Sequence, residues 1–289
     1  MYVFCVGMYR SCSTWQYEVA CHLLEHHLNG ERLGFLSGDQ FAAHAASGVD
    51  PARWYVLKSH DADDRLGAAL RERRALGFYA YRDLRDVSYS LIFKLRADFD
   101  EVIVRRRLLH AILDNDRYWT AQPDLLCQRY EALMADPNGG VEEMAAHLGL
   151  TLASGEAEAI AAQYSLEANQ RRTAELTRCL GEQGIDLNDP AHALLYDLHS
   201  LLHWNHLRQG RVGGWREEAT PAQRVTLAEI CGAWLIARGY EYDTDGAIPP
   251  EGLRERITAQ RRTLAELNSS SQQGKCLRQR SCTPNGFRP

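Results

Sequence analysis

The sequence predicts an α/β fold, a central parallel sheet flanked by helices, with a mainly helical second half. Three observations carry this reading. Short strand-like apolar runs alternate with helical patterns in the first half of the chain, which is how βα units of a parallel sheet are written. Each run ends in a polar tail with basic residues, and ligands of such sheets bind beyond the carboxyl ends of the strands. After residue 140 the periodicity becomes mainly helical.

The first run, Tyr2–Gly7, leads into "VGMYRSCSTWQ" at residues 6 to 16, and a helix is expected over Trp15–Leu28. This is the strand–turn–helix shape of a phosphate-binding loop, without the GxxxxGKS/T sequence of nucleotide-hydrolysing loops. A helix N-terminus exposes free backbone N–H groups and the positive end of the dipole, so it is a ready anion site. Ser11, Ser13 and Thr14 add hydroxyls there and Arg10 a permanent charge.

Further strands are expected at Trp54–Lys58, Gly77–Tyr81 and Asp124–Arg129, ending in the tails KSHD, YRDLRD and QRYE. The intervening helices are expected over Ala62–Arg74, Asp86–Leu95 and Val104–Tyr118. Ser90, two turns into its helix, faces back toward the strand end. Later helices are expected at Val141–Leu148, Glu156–Gln163, Ala168–Leu180 and Ala191–His206. A glycine-rich turn follows at Gly210–Gly214, then a helix at Pro221–Ala237 that packs through Leu227, Ile230, Trp234 and Leu235. There is no internal repeat. One domain is expected over residues 1–267, and 268–289, polar and breaker-rich, reads as a disordered tail.

Composition narrows the function. The chain of 289 residues is 45% hydrophobic and 25% charged, enough for one large core. A net charge of -5 argues against a general nucleic-acid binder but leaves room for a local basic cleft. None of the eight cysteines forms a CxxC pair, so they read as reduced thiols. No signal segment and no bilayer-spanning run is visible, so a cytoplasmic location without membrane association is expected.

Five motifs, in order, resemble the cytosolic-type sulfotransferases, which use 3′-phosphoadenosine 5′-phosphosulfate (PAPS). Where that family has a loop like YPKSGTTW, this chain has Met8 to Trp15, reading MYRSCSTW. Its KTH-like segment is matched by Lys58, Ser59 and His60. RNPKDVAVS is matched by "RDLRDVSYS", Arg82 to Ser90. YEDL is matched by "YEAL", Tyr130 to Leu133. RKGxxGDWKxxFT is matched by "RQGRVGGWREEAT", Arg208 to Thr220. The resemblance spans roughly residues 2 to 240 and implies a P-loop-like sulfotransferase fold with a helical acceptor-binding part. Each motif is weak alone; five in order are a strong signal.

The resemblance implies that Arg10, Ser11, Cys12, Ser13 and Thr14 hold the 5′-phosphosulfate. Arg82 and Ser90 would bind the 3′-phosphate, Arg208, Gln209 and Gly210 would close over it, and Trp15 and Tyr130 would flank the adenine. It further implies direct in-line transfer of the sulfuryl group to a hydroxyl or amine of a small molecule, giving adenosine 3′,5′-bisphosphate (PAP). His60 would act as general base, Lys58 and Arg10 would stabilise developing charge, and no metal would be needed.

The chain departs from the family pattern at Arg10 for lysine, Cys12 for glycine, Gly214 for aspartate and Ala219 for phenylalanine. Beside Arg10 and a helix N-terminus, the Cys12 thiol is expected to have a lowered pKa. A degenerate P-loop kinase or NTPase, or a non-catalytic nucleotide-binding protein, is the alternative; the first would need an acidic strand end, and the strand ends here are basic. "HLLEH" at His22 to His26 matches an inverted zinc-protease pattern, but it lies on the helix leaving the phosphate loop and lacks an evident third ligand. His199, His203 and His206 have similar helical spacing, which leaves a pair or a metal site open, but they read first as packing residues or as part of an acceptor pocket built from Lys94–Tyr118 and Ser165–Trp204. Phe93, Phe99, Tyr118, Trp119, Tyr196 and Trp204 are its candidate aromatic walls. Oligomeric state is open.

Overall fold

Five strands form one parallel sheet in a computed structural model that describes residues 1–208 and 210–240. The strands are β1 (Tyr2–Cys5), β2 (Gly30–Phe35), β3 (Trp54–Lys58), β4 (Ala75–Tyr81) and β5 (Leu125–Arg129), in the order β2-β3-β1-β4-β5. β1 lies at the centre, where the strand order reverses, and the loop leaving it opens at the switch point where such sheets bind ligands. All four residues of β1 are buried, as expected for a strand covered on both faces. Register sets Cys5 opposite both Lys58 of β3 and Phe78 of β4, so the loop after β1 emerges beside Lys58.

The chain divides into two compact units, Met1–Glu218 and Ala219–Pro289. In the first, α1 (Ser13–His27) leaves the β1 loop and α4 (Leu84–Leu95) leaves the β4 loop. α1 packs its buried Tyr17, Val19, Ala20, Cys21, Leu23 and Leu24 into a core shared with Val3, Val56 and Phe78 of the sheet. Val141 and Met144 of α7 (Pro137–His147) and Ile160 of α8 (Glu156–Gln163) complete that core. The remaining helices of this unit are α2 (Gly38–Ala46), α3 (Asp64–Arg71), α5 (Leu108–Trp119), α6 (Tyr130–Ala135), α9 (Leu166–Glu182) and the short α10 (Trp215–Glu218). In the second unit the described residues form α11 (Pro221–Ala237). It opens with a capping box: Thr220 accepts from the Gln223 backbone and the Gln223 side chain accepts from Thr220. The expected domain of residues 1–267 takes in parts of both units, and the expected tail, 268–289, lies outside the described residues.

Three sequence expectations need correction. β2 and α2 were not expected. β2, GERLGF, is an edge strand that is only half-buried and shifts register between Arg32 and Gly34, so it shows neither an apolar run nor clean alternation. The helix expected over Val104–Tyr118 begins at Leu108, after a π-helical stretch Asp100–Arg105 and a left-handed Arg107 with φ 52°. The helix expected over Ala191–His206 does not form. A short 3₁₀ turn covers Pro190–His192, and the rest is irregular, closed by an isolated bridge between Tyr196 and His203. Asp197 is the cause. Its carboxylate accepts from both the Ser200 backbone (2.7 Å) and the Ser200 hydroxyl (2.8 Å), and its own N–H and carbonyl tie to Leu202 and Leu201. Such local capture by a short polar side chain competes with helix. Among the described residues no helix is long and apolar enough to cross a membrane.

Candidate active site

The loop after β1 is held against β4 by backbone bonds from Val6 to Phe78 (2.9 Å) and Met8 to Ala80 (2.8 Å). Gly7 allows this approach: a Cβ there would lie 2.8 Å from the Ala80 nitrogen and 2.9 Å from Ser13 Cβ. Ser11 is fully buried, and its hydroxyl lies 2.6 Å from the Met8 carbonyl and 2.8 Å from that of Ala80. It therefore braces the loop and spends its one proton there. Arg10 and Cys12 both take left-handed backbone, φ 63° and 73°. Ser13 and Thr14 open α1, both buried, and Thr14 Oγ1 has no hydrogen-bond partner among the described residues. A buried hydroxyl without a partner costs about 1–3 kcal/mol, so this atom is placed for something other than the protein itself.

The Arg10 side chain reaches across to α4, donating from Nε to Ser90 Oγ (2.8 Å) and from Nη2 to the His206 carbonyl. Burial and the nearby Arg82 lower its pKa to about 10, which leaves it charged at neutral pH. The expectation of an acidic Cys12 thiol is overturned. Desolvation outweighs Arg82 and Arg10 and pushes it up to about 12.

Lys58 ends β3 and is buried. Its ammonium lies 3.1 Å from His60 Nε2, and His60 Nδ1 lies 2.7 Å from the Gly7 carbonyl. A carbonyl can only accept, so Nδ1 carries the ring proton and Nε2 presents a lone pair. Desolvation first, then Lys58, holds the imidazole well below its usual range and therefore neutral. Desolvation also brings Lys58 down to about 8. The ring of Tyr9 stacks obliquely on His60 at 4.3 Å, its hydroxyl donating to Asp61 (2.9 Å), and Trp119 donates to the His60 carbonyl (3.0 Å).

Arg82, just past β4, is buried with its guanidinium 4.1 Å over the Tyr130 ring. It donates to the Arg10 carbonyl (3.3 Å) and the Arg211 carbonyl (2.6 Å), while its Nε has no partner among the described residues. Asp86, one turn on, sits 3.6 Å from Arg82 and accepts from the backbone of Gly213 (2.7 Å) and Trp215 (3.0 Å). Tyr130 donates to the Gly210 carbonyl (3.0 Å). Three side chains at the carboxyl edge of the sheet thus clasp the segment Gly210–Trp215. Gly210 is left-handed, φ 65°, and a Cβ would come within 2.8 Å of Leu166. Arg208 pairs with Glu218 (2.8 Å) and lies 5.3 Å over Phe93. Gln209 lies outside the described residues.

All the other donor-site and catalytic residues expected from the sequence line one cavity of about 990 Å³, but of the expected aromatic walls only Tyr196 does. Phe93, Phe99, Tyr118, Trp119 and Trp204 are not part of its lining, nor is His199, and Trp119 and Tyr118 instead bond the carbonyls of His60 and Asp63. Its phosphate-loop end carries Arg10 to Trp15, Arg82, Ser90, Tyr130, Arg208 and Gly210. Its lining also has apolar residues, among them Phe35, Leu91, Leu95, Ile112, Leu194 and Tyr196. That volume is at the top of the range for ligand sites, about 300–1,000 Å³. From the sequence alone, Asp86, Tyr9 and Lys94 receive no site role. Lys94 carries the one recoverable signal, lying four residues after Ser90 and so on the same helix face.

A family model, the sulfotransferase domain, matches residues 2–239. The chain belongs to the sulfotransferase family. A mouse sulfotransferase complexed with PAP aligns with TM-score 0.60 at 17% identity, over 90% of this chain and 88% of that one. Retinol dehydratase in complex with androsterone and PAP aligns with TM-score 0.56 at 17% identity, over 84% and 81% of the two chains. Retinol dehydratase with retinol and PAP gives TM-score 0.56 at 17% identity, over 86% and 83%. At this identity the structures show the shared fold. No curated protein matches the sequence.

In this sulfotransferase the glycine of the family loop is replaced without a change of backbone hand, since Cys12 holds the left-handed conformation that glycine takes without strain. Gly214 stands where the family pattern has aspartate, and the backbone on either side of it, Gly213 and Trp215, donates to Asp86 of α4. The His22 and His26 rings stack at 4.1 Å, and His26 donates to the His22 carbonyl (2.8 Å), as helix neighbours do. Among the described residues no group of three or more His, Cys, Asp or Glu is arranged to hold a metal ion.

Proposed function

We propose that the cavity binds PAPS at its phosphate-loop end and a small-molecule acceptor against its apolar wall, with His60 taking the proton from the acceptor hydroxyl or amine. In this reading the backbone N–H groups at the start of α1, Thr14 Oγ1 and Arg10 hold the 5′-phosphosulfate. Arg82 and Ser90, with the clasped Gly210 segment and Arg208, hold the 3′-phosphate, and Trp15 flanks the adenine. Two of the buried polar atoms lacking a partner among the described residues, Thr14 Oγ1 and Arg82 Nε, support this fit. So does the absence, among the described residues, of a carboxylate partner for Arg10 or Lys58.

The single observation that carries the mechanism is the fixed tautomer of His60. With Nδ1–H spent on the Gly7 carbonyl, Nε2 is the free base of the pair. Lys58 now covers that atom. An anionic sulfuryl oxygen is a stronger acceptor for an ammonium than an imidazole is, so donor binding draws Lys58 onto the sulfuryl group and frees Nε2. The donor's negative charge also raises the His60 pKa toward the range where a general base works best. The acceptor oxygen or nitrogen then forms its bond to sulfur as the bond from sulfur to the bridging phosphate oxygen breaks. The proton passes to His60, and PAP leaves with the electron pair. Lys58 and Arg10 offset the charge that builds on the sulfuryl and phosphate oxygens.

Calorimetry with PAP and with ATP–magnesium, on the wild type and Arg82→Ala, tests the donor site. PAP binding that weakens at least about tenfold in Arg82→Ala is expected, the scale of a lost charge-assisted hydrogen bond. Binding of ATP–magnesium with none of PAP would overturn the reading in favour of a kinase-like site.

A further inference from the structure

Lys94 lies in the last turn of α4 and is only 7% exposed. Its ammonium donates to the Ala193 carbonyl (3.3 Å) and to Asn205 Oδ1, both uncharged, which leaves its third proton unassigned. It lines the cavity with Leu91, Leu95, Leu194 and Tyr196, away from the phosphate loop's own helix. Among the described residues no carboxylate pairs with it, and none pairs with Arg10 or Lys58, the two cations nearest it in charge. A buried charge is costly unless something of opposite sign compensates it. Desolvation and those two cations bring Lys94 down to about 7.

His203 stands beside it. Its ring bonds the Leu194 carbonyl, so its other nitrogen, Nδ1, is a bare acceptor, and that atom is buried with no partner among the described residues. Burial and Lys94 keep the ring neutral, with a pKa down to about 3. Beside Leu91, Leu95, Leu194 and Tyr196 the cavity therefore offers one cation without a carboxylate partner among the described residues and one unfilled hydrogen-bond acceptor, with His206 stacked on His203 at 5.6 Å. A few placed polar groups of this kind fix orientation and class in small-molecule sites.

We infer that the acceptor of this sulfotransferase is an anion, a small hydroxy- or amino-substituted carboxylic acid, and that Lys94 binds its carboxylate. This rests on the sulfotransferase reading of the cavity. The donor's phosphates and sulfuryl group already have Arg82, Arg10, Lys58 and the start of α1. Lys94 is the cation left over on the acceptor side, and a carboxylate there completes its third bond. The apolar residues that line the same cavity, Leu91, Leu95, Leu194 and Tyr196, accommodate the hydrocarbon body that joins carboxylate and nucleophile.

The test uses 4-hydroxyphenylacetate and its neutral amide as matched acceptors with PAPS, for the wild type, Lys94→Met and Lys94→Gln. The wild type is expected to favour the acid by about tenfold or more in kcat/KM, the scale of one charge-assisted hydrogen bond. The acid-to-amide ratio is expected to collapse toward one in both variants. Lys94→Gln keeps a donor for the Ala193 and Asn205 contacts, so its collapse reports the charge and not a loosened wall. A wild-type ratio at or below one overturns the inference. So does a ratio that the variants leave unmoved, or binding of neither compound to the PAP-loaded enzyme. PAP affinity, measured in parallel, separates the two readings: failure to bind PAP strikes the donor site, whereas PAP binding with no preference for the acid strikes only Lys94.

Discussion

Glu18 couples the phosphate-loop helix to the far side of the cavity, and its replacement by glutamine gives a quantitative test of that scaffold. The carboxylate is buried on α1 and pairs with Arg172 of α9 at 2.7 Å, while its second oxygen has no partner among the described residues. Desolvation exceeds the help from Arg172 and Arg32 and raises its pKa from 4.5 to about 7. That displacement corresponds to about 3 kcal/mol between the neutral and charged forms. The sign follows from proton linkage: between pH 4.5 and 7 the native state binds more protons at this site than the unfolded chain does. The stability Glu18 contributes is therefore complete below its ordinary pKa, is lost as pH rises to about 7, and changes no further above that. Glu18→Gln removes the titration, and Arg172, which is partly exposed, can return to water. Urea unfolding of both proteins at pH 5 and pH 8 is the assay. The variant should gain about 1–3 kcal/mol on the wild type between pH 5 and pH 8. A stability difference that does not change with pH, or a variant that loses ground at pH 8, would refute the reasoning.

Two further changes probe the loop itself. Cys12→Gly relieves a left-handed residue that costs about 1–2 kcal/mol, offset by the extra freedom of glycine in the unfolded chain, about 0.5–1 kcal/mol; a net gain of up to about 1 kcal/mol in urea unfolding is expected, and a loss would contradict the strain argument. Thr14→Ala removes a buried hydroxyl with no partner among the described residues, so unfolding stability should hold or rise while PAP affinity falls about five- to tenfold by calorimetry; unchanged affinity would take Thr14 out of the donor site.

The central sheet could be read because β1, β3 and β4 are buried along most of their length and so appear as compact apolar runs, while β5, an edge strand with only Gln128 buried, still shows the short run Leu125–Cys127 before its polar tail. β2 could not, because an edge strand half in water carries Gly30, Glu31, Arg32 and Gly34 without a clear period. The candidate site residues were legible because their chemistry is local: a hydroxyl-rich helix start, a lysine and histidine two apart, an arginine at a strand end and a serine two turns into the helix that follows. What the sequence could not carry is long-range. Asp86 makes its decisive bonds to Gly213 and Trp215, far along the chain. The Cys12 thiol looked activated by its neighbours in sequence, and only the packed site shows that desolvation wins. The Ala191–His206 segment has helical spacing, yet Asp197 and Ser200 fold it back on itself, and that turn brings His203 and His206 into the cavity wall.

The central claim is that His60 Nε2 accepts the acceptor's proton while other groups hold the donor. The most direct measurement is kcat for PAPS with a phenolic acceptor in His60→Asn, alongside PAP affinity by calorimetry. Loss of a general base predicts a fall in kcat of about 10²–10⁴, with PAP affinity within a few-fold of the wild type. A kcat within about threefold of the wild type, against that expected range, or a loss of PAP binding equal to the loss of turnover, would contradict the account.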